Sequence, residues 1–360
     1  MRAGLRIFLA LVVLGIGVLR AGVAHAAELP PAPEGSFSIA VLPDTQHYLG
    51  CGTKAEPDST DEVTNPVFDA YTRWIADNLE RQRIVFVSHV GDIVDINEPA
   101  QWEVARGCMD QLHGRVPYGI SVGNHDMTST GDSSLFQTYF GQSRFEEFEW
   151  YGGAFRSERE SQAISGNNAN SYQLFSAEGY DFVFLHLECN APDDVLDWAN
   201  EVLAQHFDRR AIVTTHMYLG PRERPTDPSD YFDAPKGVML WTKRHGDRGN
   251  SPQQMWDKCF SRHRNLFMIF CGDQSRTQAM RLTARGDHGN PVYALLSDYG
   301  VHGLRVYRVV PSENLIYAQT YNPIEGALCE GTEIVPDREE HQFVLSYDPA
   351  RARSSVFLYK

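Results

Sequence analysis

Residues 84–95 read IVFVSHVGDIVD, an apolar run followed at once by a glycine and two aspartates. Short apolar runs of this kind are typical of strands buried on both faces of a sheet. A second stretch of similar design, YGISVGNHD at residues 118–126, follows a helical pattern that begins at Pro99. Strands that alternate with helices are joined in parallel by crossover connections, so these stretches predict an α/β fold.

The alternation of strand and helix continues in both directions from these stretches. Further strands are predicted at residues 37–42, 180–187, 211–215 and 266–270, and helices at residues 67–79, 99–112, 193–206 and 253–262. After Gly289 only strands are predicted, at residues 292–296, 304–309, 315–321, 342–347 and 355–359. An α/β part followed by a β-rich part predicts a four-layer α-β-β-α sandwich, with two facing sheets and helices outside.

The domain organisation follows from the absence of a linker in this pattern. Residues 36–322 are predicted to form one domain, and residues 323–360 a C-terminal β segment packed on it. Residues 127–170 have no clear periodicity and predict an insertion over one edge of the fold. This insertion either shapes a substrate mouth or is an ordered structural loop.

The N-terminal residues 1–26 have the pattern of a secretory signal. Arg2 and Arg6 precede an apolar run, and the small-residue triplet Ala24-His25-Ala26 follows it. An N-terminal membrane anchor is the alternative, but the run is shorter than the roughly 20 residues that span a bilayer. The pattern predicts a periplasmic or secreted protein with no stable membrane insertion after cleavage.

Charge and cysteine content narrow the classes of partner. The formal net charge is −15, and cleavage of the leader would remove three arginines and no acid. This argues against nucleic-acid binding by bulk charge, and a phosphorylated substrate would need a local positive centre.

An oxidising compartment would allow up to three disulfides among the six cysteines, although some are equally well explained as buried thiols. The sequence leaves the oligomeric state open.

Four polar residues share one position, just past the end of a predicted strand. They are Asp44, Asp92, Asn124 and His216. The carboxyl ends of parallel strands converge on one crevice, so we expect these side chains to meet in space. Carboxylate oxygens with a few imidazoles suit Mn, Fe or Zn, and one aspartate can bridge two cations. Asp92 is the candidate bridge.

The order of these motifs resembles the calcineurin-like metallophosphoesterase family. The family pattern is D-x-H, GD-x-x-D, GNH-D/E, a separate His and GH-x-H. Here Asp44, GDIVD at residues 91–95, GNHD at residues 123–126 and His216 match it, and the resemblance spans residues 36–321. It implies a four-layer sandwich with metals at the strand ends. It also implies hydrolysis of a small phosphorylated substrate, a phosphomonoester or a phosphodiester, by a metal-bound hydroxide that attacks phosphorus in line.

The resemblance also implies a role for each matched residue. Asp44 corresponds to a ligand of the first metal and Asp92 to the bridge. The ligands of the second metal correspond to Asn124 and His216. His125 corresponds to the residue that protonates the leaving oxygen or stabilises the transition state, with Asp126 orienting its ring.

The sequence departs from the family pattern at two of the motifs. On the alignment, Gln46 and Ser275 replace both histidines of the first metal, and Asp273 replaces one histidine of the second. The first site would then be weaker and rich in oxygen ligands, which favours Mn, Mg or Ca over zinc. The cofactor is therefore expected to be one or two divalent or trivalent metal ions.

Other residues near the motifs have two interpretations each. His47 is adjacent to Gln46 but points to the opposite side of an extended segment. His89 lies within a buried strand, where a core histidine is expected. His302 either lines the crevice or lies on a surface loop, and Arg276 either binds a phosphate oxygen or is a surface arginine.

Two classes of function remain compatible with these motifs. The first is an active metal-dependent phosphoester hydrolase, which the retained His125 favours because a binding protein has no need of a general acid. The second is a binding protein that keeps the sandwich and one metal, which the altered first site favours.

Overall fold

The computed structural model describes residues 29–158, 161–220 and 237–348. The predicted signal and the predicted strand at residues 355–359 lie outside these ranges. The described helices are α1 (Pro66–Asp77), α2 (Pro99–Asp110), α3 (Ser134–Phe140), α4 (Asp193–Gln205) and α5 (Pro252–Lys258). The described strands are β1 (Phe37–Leu42), β2 (Ile84–His89), β3 (Tyr118–Ile120), β4 (Tyr151–Ala154), β5 (Ser171–Ala177), β6 (Tyr180–Leu187), β7 (Arg210–Thr215), β8 (Leu266–Cys271), β9 (Ala279–Arg285), β10 (Pro291–Ser297), β11 (Leu304–Val310), β12 (Leu315–Asn322), β13 (Ala327–Leu328) and β14 (Gln342–Ser346).

The described strands form two seven-stranded sheets. The first sheet has the order β13-β12-β11-β1-β2-β3, and β14 also pairs with β12, beside β13 and on the side opposite β11. Its strands β1, β2 and β3 are parallel, and β11 joins them antiparallel to β1. The second sheet has the order β4-β5-β6-β7-β8-β10-β9, with a parallel centre of β6, β7, β8 and β10. In each sheet the carboxyl ends of the parallel strands lie at the same end of the sheet.

Three hydrophobic cores separate four layers. The first core packs α1, α2 and α3 on the outer face of the first sheet, and the second packs α4 and α5 on the outer face of the second sheet. The third core lies between the sheets. In β1, Leu42 contributes to the helix side and Val41 to the core between the sheets, because successive side chains of a strand point to opposite faces. The predicted four-layer sandwich is confirmed.

The start of α1 connects the helix layer to the edge where the strands end. Asn65 caps the helix by accepting a hydrogen bond from the Phe68 N–H (3.0 Å), and Pro66 occupies its first turn. The same Asn65 side chain donates to the carbonyl oxygen of Thr45 (2.7 Å). The loop after β1 is thus held against a helix that is itself packed on the core.

The structure also contains elements that periodicity did not predict. Strands β5, β9 and β13 were missed, and the segment at residues 127–170 contains α3 and β4. Phe136 and Phe140 of α3 pack against Trp102 of α2, so this segment includes part of the helix layer. Strand β9 carries exposed Arg281, Thr283 and Arg285 on one face, which weakens its apolar signal. Chain order does not determine sheet membership either, since β11 returns to pair with β1.

The six cysteines all lie in described residues and are all free thiols. The disulfide prediction is therefore corrected in favour of the buried-thiol interpretation, which fits every cysteine except the exposed Cys51. Burial raises the pKa of the Cys108 and Cys271 thiols to about 12, so they stay protonated and unreactive. Across the described ranges, every helix is too short or too polar to cross a bilayer.

The core between the sheets predicts the cost of removing a central aromatic ring. Phe86 stacks on Phe175 and Phe184, with centroid distances of 4.9 and 4.6 Å. We expect Phe86→Ala to lower the free energy of unfolding by about 3–5 kcal/mol in urea denaturation, because it leaves a cavity. Phe207→Ala is the control, since Phe207 is 69% exposed and its loss should change stability by less than about 0.5 kcal/mol. Equal effects of the two substitutions would contradict this packing.

Candidate metal centre

Three of the predicted ligands meet at the edge where the parallel strands end. Asp44 follows β1, Asp92 follows β2, and His216 follows β7 directly. Each residue offers one ligand atom, and these atoms all lie within 4.8 Å of one another. All three side chains are buried. The two sheets therefore contribute to a single site.

His216 is oriented as a ligand by its hydrogen bond to the backbone. Its Nδ1 lies 2.9 Å from the carbonyl oxygen of Val90, which can only accept, so Nδ1 carries the proton and donates. The other ring nitrogen, Nε2, faces Asp92 Oδ1 at 3.2 Å and Asp273 Oδ1 at 3.6 Å. This Nε2 is buried and has no hydrogen-bond partner within the described structure. A histidine that anchors one nitrogen to a carbonyl and aims the other at carboxylates is typical of a metal ligand.

The two strand-end aspartates differ in their partners. Asp44 accepts a hydrogen bond from the Asp273 N–H at Oδ2 (3.1 Å), while its buried Oδ1 has no partner in the described ranges. Asp92 accepts from the His125 N–H at Oδ1 (2.8 Å) and from the Gln46 amide at Oδ2 (2.6 Å). Asp44 thus keeps a free oxygen for a cation.

The electrostatics of the site favour a positive partner. Burial, and next the neighbouring Asp298, raise the pKa of Asp44 well above its usual range. Burial opposes ionisation of Asp92 as well, but the adjacent His216 outweighs it and lowers the pKa of Asp92. Buried charges are costly unless they are paired. Asp44 Oδ1, which has no hydrogen-bond partner among the described residues, and His216 Nε2, which faces two carboxylates, therefore fit a divalent cation that would take the place of the His216 proton.

The backbone around these ligands requires glycine. A Cβ at Gly123 would overlap the amide and carboxylate of Asp92, and one at Gly272 would overlap the carboxylate of Asp44. Gly91 has φ +108°, and a Cβ there would contact the His216 ring. Asp92 itself adopts φ +50°, a left-handed conformation that is unfavourable for an aspartate and typical of functional sites.

His89 supports the site from within the core, as predicted. Its Nδ1 accepts a hydrogen bond from the Gly91 N–H (3.1 Å), so Nε2 carries the proton and donates to Thr45 Oγ1 (3.0 Å). Burial lowers the pKa of His89 to about 3, which keeps the ring neutral. The ring therefore connects the loop after β1 to the loop after β2.

The predicted catalytic pair is arranged differently from the expectation. His125 Nδ1 lies 2.7 Å from the carbonyl oxygen of Asp95, and its Nε2 lies 3.9 Å from Asp92 Oδ2. Asp126 does not orient this ring, because its carboxylate accepts hydrogen bonds from the N–H groups of Gly123 (2.7 Å) and Val94 (3.2 Å). The Asp95 carbonyl orients His125, and Asp126 holds the loop.

The remaining predicted ligands lie around this centre in unequal positions. Gln46 turns its amide N–H toward Asp92. Asn124 Oδ1 lies 3.4 Å from Lys243 Nζ, and Asp273 accepts a hydrogen bond from the same ammonium. Ser275 is exposed and has no side-chain hydrogen bond to a described residue. It lines a cavity of about 290 Å³ that also includes Asp44, Gln46, His47, Asp298 and His302.

Three residues at the site were missed by the sequence analysis. Asp298 follows the end of β10 and is buried, so it shares the strand-end signal of the other aspartates and could have been found by it. Burial raises the pKa of Asp298 to about 7. Lys243 and Arg244 lie in the loop between β7 and α5, and no motif marks them. Only the tertiary structure places them beside Asn124.

The amino-acid sequence of this chain is similar to those of known proteins. A family model described as calcineurin-like phosphoesterase matches residues 37–247. The uncharacterized protein YvnB of Bacillus subtilis (strain 168) is 28% identical over 338 residues, which cover 89% of this chain and 22% of that protein. The chain thus spans about a fifth of the length of this curated relative.

Among solved structures, similarity extends over most of the chain at low identity. The 5'-nucleotidase precursor from Thermus thermophilus is 13% identical with a TM-score of 0.43, covering 88% of this chain and 55% of that chain. The NAD nucleotidase of Haemophilus influenzae is 13% identical with a TM-score of 0.42, covering 82% of this chain and 54% of that chain.

The glycine contacts predict a loss of metal affinity without loss of the fold. We expect Gly123→Ala to weaken Mn²⁺ binding about 10–100-fold in isothermal titration calorimetry, because the new Cβ displaces Asp92. Gly107→Ala is the matched control, since Gly107 lies in α2 and a Cβ there meets nothing within 4 Å. The control should bind Mn²⁺ normally and gain about 0.5–1 kcal/mol of stability. Unchanged affinity in a folded Gly123→Ala variant would show that the ion binds elsewhere.

Proposed function

Because this chain belongs to the calcineurin-like phosphoesterase family, we propose that it is a metal-dependent phosphoester hydrolase acting on a small phosphorylated molecule. The observation that supports this most directly is the buried group of Asp44, Asp92 and His216 at the strand ends. Within this group Asp44 Oδ1 has no hydrogen-bond partner among the described residues, and His216 Nε2 faces carboxylate oxygens. The substrate would be a phosphomonoester or a phosphodiester.

The ligand set indicates which ions the centre would accept. Asp44, Asp92 and His216 would hold the ion, and Asp298 adds a further buried carboxylate nearby. A set with one imidazole and several hard oxygens suits Mn, Fe or Mg better than a zinc site rich in histidine. A cation bound there supplies positive charge for the phosphoryl group and lowers the pKa of a coordinated water.

We propose His125 as the group that transfers a proton to the leaving oxygen. Its Nδ1 is engaged by the Asp95 carbonyl oxygen, and the Asp95 carboxylate lies 3.6 Å from the same nitrogen. In its protonated form the ring therefore presents a proton at Nε2, on the side of Asp92. The side chain is 30% exposed, so a substrate can reach it. General acid catalysis by a positioned histidine contributes about 10²–10⁴-fold in rate.

Positive side chains near the centre would offset the acidity of the chain. The Lys243 ammonium and the Arg244 guanidinium both lie beside Asn124, next to the buried aspartates. They supply a local positive field in a chain of net charge −15. A small phosphate ester can be attracted by such a field even where a long polyanion is repelled.

A binding protein is the second candidate function, and one contact favours it. Gln46 replaces a histidine of the family pattern and donates its amide to Asp92, the candidate bridge. An aspartate carboxylate that already accepts a hydrogen bond from an amide depends less on a metal ion for its stabilisation. This candidate keeps one ion and the phosphate site but has no turnover.

Hydrolysis of aryl phosphates separates the two candidates. With Mn, Fe, Zn, Mg or Ca added singly to apoprotein, we expect at least one ion to support hydrolysis of p-nitrophenyl phosphate or bis-p-nitrophenyl phosphate. His125→Ala should lower kcat about 10²–10⁴-fold without changing the metal content. Asp92→Asn should lose both the turnover and the bound metal. His288→Ala is the control because His288 is exposed on the loop between β9 and β10. If folded wild-type protein shows no turnover with any of these ions, the binding protein is the correct interpretation.

We also propose that the protein is exported, on the basis of its N-terminal residues. Arg2, Arg6, the apolar run and the triplet Ala24-His25-Ala26 support this. In a Gram-negative expression host, we expect N-terminal sequencing of periplasmic protein to begin at Ala27. Replacing Ala24 and Ala26 with glutamine should leave the leader attached. Recovery of unprocessed wild-type protein in the cytoplasm would contradict export.

A further inference from the structure

A lysine ammonium lies within the ligand set that the family assigns to a second metal. Lys243 Nζ forms an ion pair with Asp273 Oδ1 and lies 3.4 Å from Asn124 Oδ1. Asp273 Oδ1 is in turn 3.6 Å from His216 Nε2. The ammonium therefore contacts two of these ligands and neighbours a third.

The backbone of Lys243 is held in place by a buried asparagine. Asn190 Oδ1 accepts hydrogen bonds from the N–H groups of Lys243 (2.8 Å) and Arg244 (3.2 Å). The Asn190 amide donates to the carbonyl oxygen of Asn250 (2.9 Å), which ties the other end of the same loop. Asn190 is buried and adopts φ +55°. The loop that carries Lys243 is thus anchored to the end of β6.

Arg244 fixes the same position from the other side. Its Nε donates to the carbonyl oxygen of Asn124 (3.0 Å), and its Nη2 donates to the same oxygen. Lys243 also lies over the Trp241 ring, 5.2 Å from the centroid. The ammonium is therefore placed by contacts that are independent of Asp273.

The two halves of the centre consequently differ in what they offer a cation. In the described structure, Asp44 Oδ1 has no hydrogen-bond partner and His216 Nε2 faces the Asp92 carboxylate, whereas Asp273 Oδ1 and Asn124 Oδ1 face an ammonium. A divalent cation at Asp273 and Asn124 would be repelled by Lys243 and would compete with it for the same oxygens.

We propose that Lys243 takes the place of the second metal ion, so that the centre binds one divalent cation at Asp44, Asp92 and His216. The inference builds on the metal centre of the proposed function. The second positive charge is then the ammonium group of Lys243, which is covalently part of the chain. This locates the asymmetry of the site at Asn124 and Asp273, in the half opposite to the one that the altered motif residues Gln46 and Ser275 suggest.

Counting bound Mn²⁺ tests this inference without any measurement of activity. Apoprotein is saturated with Mn²⁺, freed of excess ion, and analysed by elemental analysis and electron paramagnetic resonance. Wild-type protein should hold one equivalent per chain with the six-line spectrum of an isolated ion. Lys243→Met, which keeps the length of the side chain and removes its charge, should hold two equivalents with an exchange-coupled spectrum.

Three further variants make the count specific to this site. Lys258→Met is the matched control, because Lys258 pairs with Asp193 on the surface, and it should stay at one equivalent. His216→Ala should lose the tight equivalent, which shows that the counted ion is at this centre. Lys243→Gln replaces Lys243→Met if circular dichroism shows that the latter is unfolded.

The results that would overturn the inference are equally direct. Two coupled Mn²⁺ ions in wild-type protein, or one ion in the folded Lys243 variants, would show that Lys243 does not take a metal position. The metal count and the turnover measurement also test the two proposals independently. An inactive protein with one Mn²⁺ removes only the hydrolase proposal, and an active protein with two Mn²⁺ removes only this inference.

Discussion

The structure depends on the burial of several carboxylates next to one another at the ends of parallel strands. Asp44, Asp92, Asp273 and Asp298 all lie in this region, and each is nearly inaccessible to solvent. Desolvation and mutual repulsion make such an arrangement unfavourable unless positive charge is brought in. Among the described residues, the nearby cationic groups include Lys243, Arg244 and, when protonated, His216. The ligand group of Asp44, Asp92 and His216 marks where the proposed metal cation would complete the balance.

Rigid elements of the scaffold hold this unfavourable arrangement. Three hydrophobic cores fix the two sheets and their helices, so the strand ends cannot separate to relieve the repulsion. Backbone donors and carbonyls then orient the individual groups. The Val90 carbonyl sets the ring of His216, the Asp95 carbonyl sets the ring of His125, and the neutral His89 joins the two acidic loops. The glycines beside the aspartates leave room for them to approach.

Much of the fold could be predicted from the sequence because buried strands have a strong local signal. The strands at Phe37–Leu42 and Tyr180–Leu187 were predicted to the residue, since each is apolar on both faces and bounded by polar turns. Strands β5 and β9 were missed because they alternate or carry charges on one face. The disulfides that six cysteines would allow are not formed in the described structure, and the number of cysteines alone says nothing about which thiols lie close together.

The sequence by itself determined the four-layer sandwich and the approach of Asp44 to Asp92, because the carboxyl ends of parallel strands in one sheet lie at the same end. His216 follows a strand of the other sheet, so its predicted approach to the two aspartates depends on how the two sheets pack. Tertiary structure alone decided which groups neutralise these aspartates. Lys243 reaches Asn124 across 119 residues of chain, and its position depends on hydrogen bonds to Asn190 from a loop without regular structure. The role of Asp126 changed for the same reason, since a hydrogen-bond partner is chosen by distance and direction in the folded chain. Periodicity encodes which face of an element is buried, whereas charge pairing between distant loops is set only when the layers pack.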